Sequence, residues 1–319
     1  MKPQEYIPDE KDRLILFELL QDCRQPTAKI AKAVKLPQQT VSYRIKKLED
    51  AKIIKKYTAD INYPKFGFSR HSIYLDIKGV SAEQVDKYLK QITSIEEVSC
   101  CYMLHEVSQW KLYVSVWTKT IERYDEIQTK IMSKFKNKIN NFLSFQSIKS
   151  FTYFAKRLNP KKKPKVDIKG NPENVEIKDI DKKLISKLKS NSKIQIVKLA
   201  HELKLNANSV IKKIEDLRKK GIIERFYPIL DMKKLGYTEY TFISRIDPSH
   251  QKELEEFMKF VDKDPRFVIA IKAVGYVNLY YAFLVKDRYE LSEINQKIHG
   301  ILGKAVLETY KIEVDEMIS

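Results

Sequence analysis

What the chain lacks narrows its role first. No apolar run approaches the roughly 18 residues that a membrane-crossing helix needs. The opening MKPQEYIPDEKD has no apolar core of the kind a secretory signal carries. Cysteine is scarce: Cys23, Cys100 and Cys101 are odd in number and two are adjacent, which excludes a disulfide framework and any recognisable zinc pattern. A cytoplasmic setting is expected. The five histidines, His71, His105, His201, His250 and His299, form no pair at ligand spacing. There is no serine or cysteine nucleophile elbow and no phosphate loop. The expectation is a protein with no catalytic residue, no metal and no cofactor. Acid is short as well: 42 Asp and Glu stand against 60 Lys and Arg, a net charge of +18. That excess favours an anionic partner, nucleic acid before a membrane surface. A hydrophobic share of 43% leaves ample material for cores.

What is present is a repeat. Residues 12–77 align with 181–246 without a gap, at an offset of 169 (Asp12 to Asp181). Leu19 meets Leu188, Ala31 meets Ala200, and Val41, Ile45 and Leu48 meet Val210, Ile214 and Leu217. Further on the offset is 167, where Glu126 and Ile127 meet Glu293 and Ile294. A period this long marks a duplicated multidomain unit, not a solenoid.

Each copy opens with three helical segments, predicted at 10–22, 27–34 and 38–50, then at 178–189, 194–203 and 207–219. Pro26 and Pro37 start helices in the first copy, and Asn206 caps the third helix of the second. Strand-like stretches at 53–60 and 222–230 follow, as a wing or connecting strand. The remainder of each copy alternates strand, helix, strand, strand, helix, strand. In the first copy the strands are expected at 72–78, 98–104, 111–118 and 145–154, with helices at 82–92 and 121–140. The fold class is α+β: two copies of a winged helix-turn-helix followed by a ferredoxin-like βαββαβ domain. The expected domains are residues 1–60, helix-turn-helix 1; 61–157, βαββαβ domain 1; 158–176, basic linker; 177–229, helix-turn-helix 2; and 230–319, βαββαβ domain 2. The linker reading rests on PKKKPK and GNPEN, whose prolines, glycine and lysines suit a solvated segment.

The stretch QQTVSYRIKKLED (38–50) reads as a recognition helix. Val41, Ile45 and Leu48 fall at i, i+4 and i+7 and form one apolar stripe. Gln38, Gln39, Thr40, Ser42, Tyr43, Lys46 and Lys47 lie outside it and suit base edges and phosphates. Arg44, Lys55 and Lys56 flank this face as expected phosphate contacts. In the second copy the matching candidates are Asn208, Ser209, Lys212 and Lys213, but Glu215 and Asp216 stand where Lys46 and Lys47 were. Carboxylates repel phosphates, so the first helix is expected to be the stronger reader.

The ordered set of motifs resembles the Lrp/AsnC (feast/famine) family of transcription regulators. Its carriers in the first copy are DRLILFELLQDCR (12–24), KIAKAVKL (29–36) and VSYRIKKLEDAKIIKKYTADIN (41–62). In the second they are DKKLISKL (181–188), VIKKIEDLRKKGIIERFYPIL (210–230) and AVGYVNLYYAFLVKD (273–287). The resemblance implies a DNA-binding regulator that assembles through its βαββαβ domains, with double-stranded DNA and itself as partners. Self-pairing would be an intrachain pseudo-dimer or a homo-oligomer. It also implies an amino-acid-like effector, whose usual site includes a G-x-x-D turn. Gly275, Tyr276 and Asn278 occupy that turn in the second copy, with Asn for Asp, whereas SQWKL (108–112) lacks both glycine and acid. Two alternatives remain. One is a siroheme decarboxylase-like enzyme of the same architecture, with His105-Glu106 the only suggestive spot. The other is a co-regulator that touches DNA weakly.

Overall fold

The computed structural model describes residues 6–104, 108–153, 156–162, 166–170 and 172–314. The His105-Glu106 spot lies outside them. The first copy runs α1 (Glu10–Gln21), α2 (Thr27–Val34), α3 (Gln38–Asp50), β1 (Ile54–Ile61), β2 (Ser69–Ile77), α4 (Ala82–Thr93), β3 (Val98–Met103), β4 (Leu112–Thr118), α5 (Ile121–Met132) and β5 (Ile139–Tyr153). A short strand, β6 (Val166–Lys169), follows. The second copy runs α6 (Asp179–Ser190), α7 (Ile196–Leu203), α8 (Ala207–Lys219), β7 (Ile223–Leu230), β8 (Thr238–Ile246), α9 (Gln251–Lys263), β9 (Phe267–Gly275), β10 (Leu279–Val285), α10 (Arg288–Leu302) and β11 (Val306–Val314).

The chain divides by kind of domain, not by copy. One compact unit takes Met1–Phe66, Tyr153–Asp167 and Asn174–Tyr237; the other takes Gly67–Thr152, Ile168–Glu173 and Thr238–Ser319. The first unit therefore holds both helix-turn-helix segments, and the second both βαββαβ segments.

In the first unit, each third helix follows a turn closed by a lysine in the left-handed conformation. Lys35 (φ 55°) ends α2 and Lys204 (φ 54°) ends α7. The next amides reach back, Leu36 N to Ala31 O at 3.1 Å and Leu205 N to Ala200 O at 2.9 Å, which ends both helices in the same way. The connecting strands β1 and β7 pair antiparallel with each other, Ala59 opposite Phe226. Their ties are reciprocal. Cys23 N donates to Phe226 O (2.8 Å) and Ser192 N to Tyr57 O (3.1 Å). Asn62 N donates to Ile222 O (2.9 Å) and Asp231 N to Ile53 O (2.8 Å). Every one of these contacts recurs at the 169 offset, so a local pseudo-twofold relates the two helix-turn-helix segments. Helix α1 packs on β7 and α6 on β1, so each helix-turn-helix segment is seated on the other copy's strand.

The second unit has the ferredoxin-like pattern twice. Its strands follow the path β11-β8-β10-β9-β5-β2-β4-β3, with β6 attached to β5. The copies join where β5 pairs antiparallel with β9, Phe145 opposite Gly275. Gly275 is required there: its φ is +140°, and an added Cβ would stand 2.9 Å from Ser144 O. One core of the first copy lies between its sheet and its helices, with Ile73, Leu75, Val114, Ile127 and Phe135. A second, aromatic core draws on both copies: Tyr74, Tyr102, Trp110, Tyr113, Phe145, Ile243, Val277 and Ile312.

Two expectations change. The helix expected to run from 121 to 140 stops at Met132, and β5 begins at Ile139. Lys136 turns to φ 42° and Phe135 is buried in the first copy's core, so the chain reverses before the apolar periodicity would suggest. The segment read as a solvated linker contains β6 and delivers Asp167 into the first unit, where it is 3% exposed and ion-paired to Arg225. Arg225 is itself 4% exposed and also lies 3.5 Å from Asp60.

Candidate nucleic-acid interface

Helix α3 buries Val41, Ile45 and Leu48 and leaves Gln38, Gln39, Ser42, Tyr43, Lys46 and Lys47 exposed, with Thr40 half-buried. Lys47 Nζ sits 4.8 Å from the centroid of the Tyr43 ring, which groups a cation and a phenol on one outward surface. No side chain caps the N-terminus of α3, where Pro37 precedes it, so its first amides point outward without a local acceptor. Helix α8 buries Val210, Ile214 and Leu217. It exposes Asn208, Ile211, Lys212, Glu215 and Asp216, with Ser209 half-buried. Asn206 Oδ1 accepts from Ser209 N at 2.7 Å, so an α8 amide that could meet a phosphate is already occupied.

Arg44 has a different task from the one expected. Its Nη1 lies 2.8 Å from Asp9 Oδ2 and 2.9 Å from Asp12 Oδ1, and Asp12 is 1% exposed. The hydrogen bonds to Asp12 and then Asp9 hold the guanidinium above its usual range. Asp12 also accepts from Tyr6 Oη at 2.6 Å and closes the α1 capping box with Asp9. Arg44 thus clamps α3 to the start of α1 and does not reach for phosphate. Lys213 repeats the device, 2.8 Å from Asp181 Oδ1. The signal was in the repeat: base and acid both recur at the 169 offset, Arg44 with Lys213 and Asp12 with Asp181. Lys55 and Lys56 are exposed on β1, with Lys55 Nζ 3.7 Å from Asp231 Oδ2.

The turn expected to take an effector is largely structural. Gly275 serves the β5–β9 approach. Asn278 Nδ2 donates to Ile246 O and its Oδ1 accepts from Ile246 N, both at 2.8 Å, so its amide secures the end of β8. Tyr276 is 52% exposed and donates to Glu308 Oε2 at 2.6 Å. Of the histidines, His71 is buried and stacked on Tyr124 with centroids 4.0 Å apart, whereas His201 is exposed. Among the described residues, no group of His, Cys, Asp and Glu is placed to hold a metal ion, and no helix is long and apolar enough to cross a membrane.

Comparison with known proteins agrees with this geometry. A family model for winged helix-turn-helix DNA-binding domains matches residues 8–55. An uncharacterised helix-turn-helix transcriptional regulator of Pyrococcus horikoshii is 30% identical over 126 residues, 38% of this chain and 80% of that protein. The transcriptional regulator LrpA of Pyrococcus abyssi is 35% identical over 91 residues, 28% of this chain and 64% of that protein. The chain belongs to the Lrp/AsnC family. It is a helix-turn-helix DNA-binding regulator of that type. Its fold is also that of the siroheme decarboxylase NirDL, which superposes with a TM-score of 0.60 over 97% of this chain and 91% of that chain at 12% identity. Both helix-turn-helix segments and both βαββαβ segments reside on this one chain.

Proposed function

We propose that this Lrp/AsnC-type regulator reads an asymmetric operator, with α3 as its principal reader and α8 as a weaker or differently specific one. The carrying observation is the contrast between two pseudo-equivalent exposed faces: Lys46 and Lys47 on one, Glu215 and Asp216 on the other. Gln39 and Asn208 occupy equivalent outward positions and suit bidentate pairing with adenine. The uncapped α3 N-terminus strengthens the same contrast, since helix N-termini favour phosphate. The paired βαββαβ segments act as the assembly and small-molecule sensing part. Because β1–β7 and β5–β9 pair within the chain, the unit competent for DNA is one polypeptide, and light scattering of the free protein should return a monomer.

The test is selection of bound duplexes from a random pool at physiological salt, with the intact chain and with two variants. Gln39→Ala should relax preference at one position, at a cost of about 1–3 kcal/mol there. Lys46→Ala with Lys47→Ala should weaken binding and lower the salt slope by about 1–2. A palindromic consensus, or no enriched motif, would overturn the asymmetric-reader assignment.

A regulator is favoured over an enzyme because the relatives at 30% identity and above are named as transcriptional regulators. The likeness to NirDL, at 12% identity, is one of fold. A spectroscopic titration with the tetrapyrrole tests the rival: a saturable shift of its main absorption band, with product formed, would replace this reading.

A further inference from the structure

Helices α3 and α8 carry matching buried stripes and unlike outer rows. On α8, Asn208, Ile211, Lys212 and Glu215 fall at i, i+3, i+4 and i+7, so they form one continuous row on the side away from Val210, Ile214 and Leu217. All four are exposed. The matching row on α3 is Gln39, Ser42, Tyr43 and Lys46. Every member of that row carries a polar group, whereas the α8 row holds an isoleucine that is 43% exposed.

The fold gains little from Ile211. A β-branched residue loses rotamer freedom in a helix, and lysine or glutamine would suit an outward position better. A lone exposed aliphatic is ordinary on a protein surface, but the neighbours of this one give it a task. Helix α8 is poorly equipped to gain affinity from phosphates. Glu215 and Asp216 repel them, although Lys212 offsets part of this, and the Asn206 side chain already takes the Ser209 amide at 2.7 Å. What remains suits base edges. No hydrogen bond engages the Asn208 side-chain amide among the described residues, and it can pair in bidentate fashion with adenine N6 and N7. Thymine is the base that displays a methyl group in the major groove, where it takes apolar contacts. Residues three apart are neighbours on a helix surface. Ile211 lies about 4.5 Å further along the axis than Asn208, on the scale of one base-pair step of roughly 3.4 Å.

We propose that Ile211 is a thymine reader: its side chain packs on the 5-methyl group of a thymine in the major groove, at the base pair next to the adenine taken by Asn208. The inference rests on the reading of α8 as a DNA-facing helix and names what that helix prefers. The two helices then differ in kind. Helix α3 gains from cations and hydrogen-bonding groups, and α8 from apolar contact with a methyl group. Such a contact carries sequence preference without charge, so it leaves the salt dependence of binding untouched.

The test is selection of duplexes by the full chain from two random pools, one made with thymine and one with uracil, which lacks only the methyl group. Asn208→Ala marks the half of the motif that α8 reads. In that half the thymine pool should enrich a thymine beside the adenine, and the uracil pool should show no preference for uracil there. On a defined duplex of the selected sequence, a single uracil at that position should weaken binding about fourfold, the contribution of one buried methyl group. The slope of log affinity against log salt should stay the same. Ile211→Ser, which installs the residue that α3 carries as Ser42, should bind both duplexes equally, and Ile211→Val should retain part of the difference. Because Ile211 is exposed, both variants should keep the circular dichroism and unfolding midpoint of the parent chain. The same preference in both pools, or a thymine–uracil difference that survives Ile211→Ser, would overturn the inference while the asymmetric-reader assignment stands. A motif with no position that Asn208→Ala relaxes would overturn it as well, with α3 left as the sole reader. No motif from either pool would remove the reader assignment and this inference with it.

Discussion

Removing Arg44 separates a structural clamp from a DNA contact. In Arg44→Ala two charge-assisted bonds disappear, to Asp9 at 2.8 Å and Asp12 at 2.9 Å. Asp12, 1% exposed, keeps only Tyr6 Oη at 2.6 Å and Asp9 N at 3.0 Å. Hydrogen bonds to charged groups contribute about 1.5–3 kcal/mol each in favourable sites, and leaving one partner buried adds a desolvation cost. The Arg44 side chain is itself 25% accessible, so water re-enters and offsets part of the loss. The expected destabilisation is about 2 kcal/mol, which lowers the unfolding midpoint by about 4–8 °C for a unit of this size. The equivalent Lys213→Ala should cost less, about 1 kcal/mol, because its partner Asp181 is 15% exposed and the contact is single. The assays are urea unfolding followed by circular dichroism, and DNA affinity over a salt series at a temperature where the variant stays folded. A phosphate contact would reduce the slope of log affinity against log salt by about 0.9. A clamp leaves that slope unchanged and moves only stability. Unaltered unfolding together with a reduced slope would refute the clamp.

Three further outcomes follow from the same geometry. Asp167→Ala should destabilise the first unit by about 3 kcal/mol in urea unfolding, since it leaves Arg225, 4% exposed, without its closest acid; a change under about 0.5 kcal/mol would mean that the β6 segment is a passive tether. Gly275→Ala should cost about 2 kcal/mol or more, because φ +140° disfavours a side chain and the new Cβ meets Ser144 O at 2.9 Å; amide exchange along β5 and β9 should rise in the variant and stay level if the strands pair independently of this approach. Burial holds His71 down to about 4 against the ordinary 6.5, so the folded chain binds fewer protons than the unfolded one in that window. Its contribution is complete above pH 6.5 and is lost as pH falls towards 4, up to about 3 kcal/mol in all; His71→Phe, which keeps a ring against Tyr124, should flatten the stability profile between those limits, and a parallel profile would contradict it.

The parts legible in the sequence are those written in local pattern. Helices α2, α3 and α8 begin and end where the apolar stripes, Pro26, Pro37 and Asn206 place them. The exposed faces of α3 and α8 are the ones the helical period assigns. What escaped was decided across the chain. Arg44 looks like any basic residue beside a recognition helix until Asp12, 32 positions earlier, arrives 2.9 Å away. Nothing local in VDIK marks it as a strand, because its reason to be ordered is Asp167 meeting Arg225, 58 positions later. Gly275 reads as a turn glycine, but its constraint comes from Ser144 on the opposing strand.

The crossed seating of α1 on β7 and α6 on β1 bears on gene dosage. Where a reader pair must first assemble from two chains, the supply of active protein varies with the square of chain abundance at low levels. On the proposed one-chain reading the pair is complete when one chain has folded, so operator occupancy would rise in proportion to expression from the first molecules made. A mutation in either half would then never be diluted by a wild-type partner, and selection would act on both halves as a single inherited unit.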